Sequence, residues 1–185
     1  KVVNFIGDSF PIATTGDHMK LLHKHGFRTH DPAAMDDYAE YKAMGESFLN
    51  IYSLPVAAWS AACLEERLGQ QFIYMPYTYI YDEIDRDMTR LAAVLDVEAP
   101  DLTDMRTEAE ESLANALSIV GTAPIGIDYM STPRFLSLAR LLLSHGFNVT
   151  EIYGDSLTPD SIPDLEWLKQ HYPDIPLKAT QDFRA

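Results

Sequence analysis

Cysteine and long apolar runs are both scarce in this sequence of 185 residues. The single cysteine, Cys63, excludes an internal disulfide framework and is typical of a cytoplasmic protein. One cysteine also excludes an iron–sulfur cluster that several cysteines of this chain alone would hold. No apolar run approaches the roughly 20 residues that a membrane-spanning helix needs, so we expect no membrane partner. These absences predict a cytoplasmic protein.

Basic residues are half as numerous as acidic ones. The chain has 14 Lys and Arg against 28 Asp and Glu, a formal net charge of −14. Residues 82–111 alone hold 11 acidic and 3 basic residues. Such a field repels phosphate backbones, so we expect no nucleic-acid partner.

Phosphate-binding motifs are also missing. The segment Gly7-Asp8-Ser9 is not the glycine-rich fingerprint of dinucleotide sites, and Gly-Lys-Ser/Thr does not occur. A nucleotide site is therefore not supported. A two-lobed glycosyltransferase-like enzyme would need such a site in its second lobe, and the sequence shows none there.

The most informative feature that the sequence does have is an internal repeat at an offset of 120 residues. Each copy has an apolar run ending in Asp, a polar loop, an amphipathic helix closed by His-Gly-Phe, and a second apolar run. The matching segments are Asn4-Phe5-Ile6-Gly7-Asp8 with His25-Gly26-Phe27, and Pro124-Ile125-Gly126-Ile127-Asp128 with His145-Gly146-Phe147. This order is typical of the opening of a doubly wound α/β domain.

The repeat predicts an α/β fold of two Rossmann-like parallel-sheet units joined by long helices. We expect a first α/β unit over 1–97, a connecting helix over 98–120, and a second, truncated α/β unit over 121–185. The first residues already read as a strand, and the chain stops soon after a last predicted strand at 175–178. We therefore interpret the chain as a piece of a longer protein.

Candidate ligand-binding residues follow the predicted strands, because ligands meet the carboxyl ends of strands in an open α/β sheet. They are Asp8, Ser9, Ser53, Asp128 and Thr132. The alternative for each is a helix cap or a turn residue. Arg134 lies in a first helical turn. Its two alternative roles are to bind an anion there or to form a salt bridge.

Histidine and cysteine positions do not predict a metal site. His18, His23 and His25 share one predicted helix, but spacings of 5 and 2 do not place all three on one face. We interpret them as part of an exposed helix face. Cys63 falls within an alanine-rich helix, where a buried thiol is the ordinary role. We therefore assign no metal ligand.

The order of several motifs resembles the nitrogenase component 1 family. The residues that carry the resemblance are Gly7-Asp8, Leu21-Leu22 with Gly26-Phe27, Leu49-Asn50-Ile51, Leu64-Glu65-Glu66-Arg67-Leu68-Gly69, Pro76, Gly126 and Thr132-Pro133-Arg134. That family includes the nitrogenase molybdenum-iron protein chains, cofactor-assembly scaffolds and subunits of the dark-operative protochlorophyllide reductase. Its members have three similar α/β domains.

The resemblance implies a fragment of a nitrogenase component 1-like oxidoreductase, which is an electron-accepting subunit or a cofactor-assembly scaffold and is inactive alone. It would cover the second domain and the start of the third. The implied partners are the other subunit of the complex and an ATP-driven iron–sulfur reductase. It implies no cofactor in this fragment, and an iron–sulfur or metal cluster in the full-length protein. It also makes Asp8, Ser9, Ser53, Asp128, Thr132 and Arg134 candidates for cofactor binding.

The loop after the third strand departs from the family pattern. A cofactor-ligating cysteine stands there in the nitrogenase α-type chain, whereas this chain has Tyr52-Ser53-Leu54 and places Cys63 about ten residues later. This suggests a β-type subunit or a divergent nitrogenase-like protein. The alternative function is a two-lobed ligand- or metal-binding module without catalysis, because two α/β lobes joined by helices also describe solute receptors.

Overall fold

A computed structural model describes residues 1–179 and confirms the predicted α/β class with parallel sheets. The chain divides into two compact units. Unit 1 comprises Lys1–Tyr77 and Arg86–Pro100, and unit 2 comprises Thr78–Asp85 and Asp101–Ala185.

Unit 1 is built on a four-stranded parallel sheet. Its elements are β1 (Val2–Phe5), α1 (Asp17–Lys24), β2 (Arg28–His30), α2 (Tyr38–Ala43), β3 (Leu49–Tyr52), α3 (Ala58–Leu68) and β4 (Gln71–Tyr74). The strand order is β2-β1-β3-β4. The central strand β3 is buried along its whole length. The helix α2 begins directly after Asp37, whose carboxylate accepts a hydrogen bond from the Glu40 amide and so caps the helix.

A polar layer lies inside the core of unit 1. Asn4 and Asn50 are fully buried and face each other across β1 and β3, and the Asn4 Nδ2 donates to Asn50 Oδ1 at 2.8 Å. Ser47 donates to Asn4, and Asn50 donates to Gln70. The amides of Asn4 and Gln70 both donate to the Met44 carbonyl. Every side chain in this layer has a partner, so the layer fixes the register of the two strands.

Unit 2 contains the three-stranded parallel sheet β5-β6-β7. Its elements are α5 (Thr103–Val120), β5 (Ile125–Asp128), α6 (Phe135–Ser144), β6 (Val149–Tyr153), α7 (Ile162–His171) and β7 (Leu177–Lys178). The helix α4 (Tyr81–Leu95) begins in unit 2 and continues in unit 1. The core holds Ile127, Phe135, Leu136 and Ile152. Gly154 permits close contact there, since a Cβ at this position would lie 2.2 Å from the Phe135 ring.

The two repeats end their first helices with the same geometry. Gly26 and Gly146 have φ angles of +72° and +83°, which glycine adopts without strain. The Phe27 amide donates to the Leu22 carbonyl at 3.0 Å, and the equivalent bond in the second copy is also 3.0 Å. This is the closure expected when a left-handed glycine ends a helix. The His-Gly-Phe motif is therefore a local helix stop in both units.

Candidate functional site

Unit 1 has a topological switch point at the carboxyl end of its sheet. β1 lies between β2 and β3, so the chain first moves to one side of β1 and then to the other. In open α/β sheets, ligands bind in the crevice that forms where the strand order reverses. Asp8 and Ser9 follow β1 and Ser53 follows β3, so these three predicted residues lie at the switch point.

A hydrogen-bonded cluster joins the loops at this switch point. The Tyr77 hydroxyl donates to Asp8 Oδ1 at 2.7 Å, and the Ser53 side chain also hydrogen-bonds Tyr77. Asp8 Oδ2 is shielded from solvent and has no hydrogen-bond partner among the described residues. Ser9 is exposed and has no side-chain hydrogen bond within residues 1–179. The structure thus brings Asp8 and Ser53 together through Tyr77, which lies in the loop after the fourth strand but was not among the candidate ligand-binding residues.

The electrostatics of the cluster favour a neutral phenol. Burial, and then the hydrogen bond to Asp8, raise the pKa of Tyr77, so it remains a donor. Burial raises the pKa of Asp8 and the Tyr77 hydrogen bond opposes that shift, while Asp31 raises it further and His18 lowers it. Burial lowers the pKa of His18, whose ring centroid lies 5.4 Å from that of Phe5. The carboxyl group is therefore the group in this cluster that a positive charge would stabilise most.

Gly7 is the residue that permits this arrangement. Its φ is +91°, and a Cβ placed there would lie 2.3 Å from the Cβ of Ala57. Ala57 belongs to the 3-10 turn that precedes α3. The loop after β1 and the segment after β3 therefore contact each other at a point where only glycine fits.

Large apolar side chains are exposed on the same two segments. Phe10, Val56 and Trp59 have exposed fractions of 81%, 80% and 76%. Phe10 lies two residues after Asp8, and Val56 is next to Ala57. Such exposure of large apolar groups beside a switch point is typical of a surface that binds something.

The strand-end residues of unit 2 are engaged in local structure. Asp128 Oδ1 accepts from the backbone amides of Met130 and Ser131 at 2.9 and 3.1 Å, and the Ser131 hydroxyl donates to the Asp128 carbonyl. Asp128 therefore organises the turn after β5. Thr132 is buried and its hydroxyl accepts from the Arg134 amide at 3.3 Å.

Arg134 is a buried member of an ion-pair network in unit 2. Its Nη2 donates to Asp164 Oδ2 at 2.9 Å and lies 3.7 Å from Glu83 Oε2. Arg140 donates to the other oxygen of Asp164 at 3.2 Å. Asp164 is fully buried between the two guanidinium groups, while Arg134 Nε has no hydrogen-bond partner in the part of the chain that the structure describes. The guanidinium thus connects α6 to α7, the salt-bridge role weighed above.

The described residues do not fit an iron–sulfur or metal cluster. Within residues 1–179, no three His, Cys, Asp or Glu side chains come close enough together to hold a metal ion. Cys63 is half-exposed on α3 instead of buried as expected, because that helix buries only Ala61 against its unit. The polar groups at the switch point are hydroxyls and a carboxylate, whereas iron–sulfur clusters are held by thiolates. Likewise, no helix of the described part is long and apolar enough to cross a membrane.

Comparisons with known proteins support the fold alone. No protein-family model matches the sequence, and the curated proteins give no sequence match. A solved chain of nitrogenase Cp1 at pH 6.5 matches with a TM-score of 0.60 and 12% sequence identity. The match covers 99% of this chain and 44% of that chain, so this chain spans less than half the length of that nitrogenase chain. The protein therefore has a nitrogenase-like fold.

Proposed function

We propose that this chain is part of a nitrogenase component 1-like protein, as an electron-accepting subunit or a cofactor-assembly scaffold. The observation that carries the proposal is the fold match, which extends over 99% of the chain. The order of the sequence motifs resembles that of the same family. The proposed partners are a second subunit and an ATP-driven iron–sulfur reductase, in the cytoplasm.

In this proposal the two units are scaffold, and the cluster ligands belong to other parts of the assembly. The donor set described above supports this division, because hydroxyl and carboxylate groups are poor ligands for a thiolate-held cluster. Asp128 and Arg134 serve the turn after β5 and the link between α6 and α7. The chain alone is then expected to have no turnover.

The test is electron delivery to the natural protein that contains this sequence. We would isolate it without oxygen, together with any subunit that co-purifies, and add an iron–sulfur reductase with MgATP. Electron paramagnetic resonance would follow the oxidation state of its iron. ATP-dependent reduction supports an electron-accepting subunit. Transfer of iron to an apo-acceptor protein without ATP-dependent reduction supports an assembly scaffold, and a protein without iron, partner or ATP response contradicts both.

A two-lobed ligand- or metal-binding module without catalysis is the second candidate. The specific observation in its favour is the Asp8, Ser53 and Tyr77 cluster, which gathers hydrogen-bonding groups at the switch point of unit 1. A module of this kind would be isolated without an iron–sulfur cluster and would bind its ligand as a single chain. The two candidates therefore give opposite results when iron and inorganic sulfide are measured together.

A further inference from the structure

The Asp8 carboxyl group has an acceptor that no group among residues 1–179 satisfies. Oδ1 accepts from Tyr77 at 2.7 Å, whereas Oδ2 is shielded from solvent and has no donor in that range. An acceptor that is shielded from water and has no donor loses its hydrogen bonds to water without gaining one from the protein, and this costs free energy. Such an atom in a native structure calls for an explanation, and a missing ligand group is one.

The charge around Asp8 is negative and uncompensated. No lysine or arginine within residues 1–179 hydrogen-bonds or pairs with this carboxyl group. Of the charged groups that shift the pKa of Asp8, a second carboxylate, Asp31, has the larger effect and raises it. Asp31 itself accepts hydrogen bonds from the amides of Ile12 and Ala33. His18 supplies little compensation, because burial lowers its pKa and favours the neutral ring. An anion would therefore be repelled, and a cation attracted.

The apolar surroundings define the rest of the ligand. Phe10 and Val56 extend from the two segments that meet at Gly7, and Trp59 follows one helical turn after Val56. Aromatic faces attract organic cations as well as apolar groups. A metal ion would gain nothing from these side chains, and the described residues provide no group of three ligands for it.

We propose that the switch point of unit 1 binds a small organic cation, a primary ammonium on an apolar or aromatic body, with Asp8 as its counter-ion. The ammonium donates to Asp8 Oδ2, the Tyr77 hydroxyl holds Oδ1, and the apolar body contacts Phe10 and Val56. Because Oδ2 is shielded, the loop that follows Asp8 moves when the ligand enters. This inference goes beyond the proposed function and depends on unit 1 only, so either can fail without the other.

The experiment is an NMR titration of the 185-residue chain with 2-phenylethylammonium chloride, with 2-phenylethanol as the neutral isostere. We expect saturable shifts of the Phe10 and Ile12 amides with the ammonium and much weaker effects with the alcohol. Asp8→Asn keeps the shape and removes the charge, and we expect about a tenfold loss of affinity or more. Asp36→Asn removes the same charge from an exposed residue with no side-chain bond in the described structure, and should leave the affinity unchanged.

Several results would overturn the assignment. They are equal binding by Asp8→Asn and the wild type, equal binding of the alcohol, or no shift up to about 10 mM ammonium. Tyr77→Phe keeps the proposal testable if Asp8→Asn does not fold. This variant keeps the Asp8 charge but releases Oδ1, so it should bind the ammonium more weakly than the wild type while still preferring it to the alcohol. Loss of that preference in Tyr77→Phe would overturn the assignment of Asp8 as the counter-ion.

Discussion

His145 makes two hydrogen bonds that require a protonated ring. Its Nδ1 lies 2.7 Å from the Leu141 carbonyl and its Nε2 lies 3.0 Å from Glu110 Oε2. Both partners are acceptors, so both ring nitrogens must carry hydrogen. Burial lowers the pKa of His145, but the Leu141 carbonyl and the Glu110 carboxylate raise it more, and the net shift is upward from 6.5. The imidazolium therefore connects α5 to the end of α6.

The sign of the pH dependence follows from the two pKa shifts. The raised pKa of His145 gives stability that is fully present below 6.5 and is lost as the pH rises through its folded value. Hydrogen bonds from Tyr81 and then from His145 lower the pKa of Glu110 from 4.5, so its contribution is lost in acid. The link between the two side chains is therefore strongest between about pH 4.5 and 6.5.

The expected magnitude is modest because the pair is partly exposed. The two side chains are 24% and 45% exposed, a range in which ion pairs contribute about 0.2–1 kcal/mol. A cation on a helix C-terminal carbonyl adds about 0.3–1 kcal/mol. His145→Gln should therefore lower the free energy of unfolding by about 1 kcal/mol at about pH 5.5, and by less than half of that at about pH 8.5.

The repeat provides a matched control. His25 is the equivalent residue of the first copy, but it is exposed and has no side-chain hydrogen bond in the described part of the chain. Urea unfolding can be followed by far-ultraviolet circular dichroism, which reports on the helices of both units, and by the fluorescence of Trp167, which packs on the core of unit 2. Equal losses for His145→Gln at both pH values, or an equal loss for His25→Gln, would refute the reasoning.

Four further substitutions, one of them a control, test the packing by the same urea assay. Gly7→Ala should lower the free energy of unfolding by at least about 2 kcal/mol, because φ is +91° and the new Cβ clashes with Ala57. Gly126→Ala is the control: a Cβ there meets open space, so the free energy of unfolding should change by less than about 0.5 kcal/mol. Asn50→Leu should cost about 2–3 kcal/mol by leaving buried amide groups unpaired, and a neutral result would contradict the account of the polar layer. Asp164→Ala should cost about 3–5 kcal/mol because it leaves the buried Arg134 guanidinium without its partner, and a loss below about 1 kcal/mol would contradict the ion-pair assignment.

The parts of the fold that the sequence predicts well are those that depend on local chemistry. The His-Gly-Phe helix stops and the strands at the start of each repeat follow from residues within a few positions of one another. The bounds of some elements were less accurate: the predicted strand at 175–178 is only Leu177–Lys178, and the helix α5 within the predicted 98–120 begins only at Thr103. Terminal turns depend on packing as well as on propensity.

The candidate site depended on contacts that no local pattern contains. Tyr77 and Asp8 are 69 residues apart, and Arg134 and Asp164 are 30 apart. The two copies of the repeat also differ in the role of this aspartate. Asp128 is the last residue of its strand and accepts hydrogen bonds from its own turn, whereas Asp8 lies three residues beyond β1 and accepts one from the distant Tyr77. Equivalent letters in the two copies thus have different roles once tertiary contacts form.

The most direct measurement of the central claim is the iron content of the natural protein that contains this sequence, with Cys63 intact and as Cys63→Ser, after isolation without oxygen. A nitrogenase component 1-like protein in which this chain is scaffold should contain iron and inorganic sulfide. The amount of each should be the same in the Cys63→Ser form as in the intact form. Absence of iron from the intact protein would contradict the nitrogenase-like assignment. Loss of iron in Cys63→Ser alone would contradict the claim that the cluster ligands lie outside this chain.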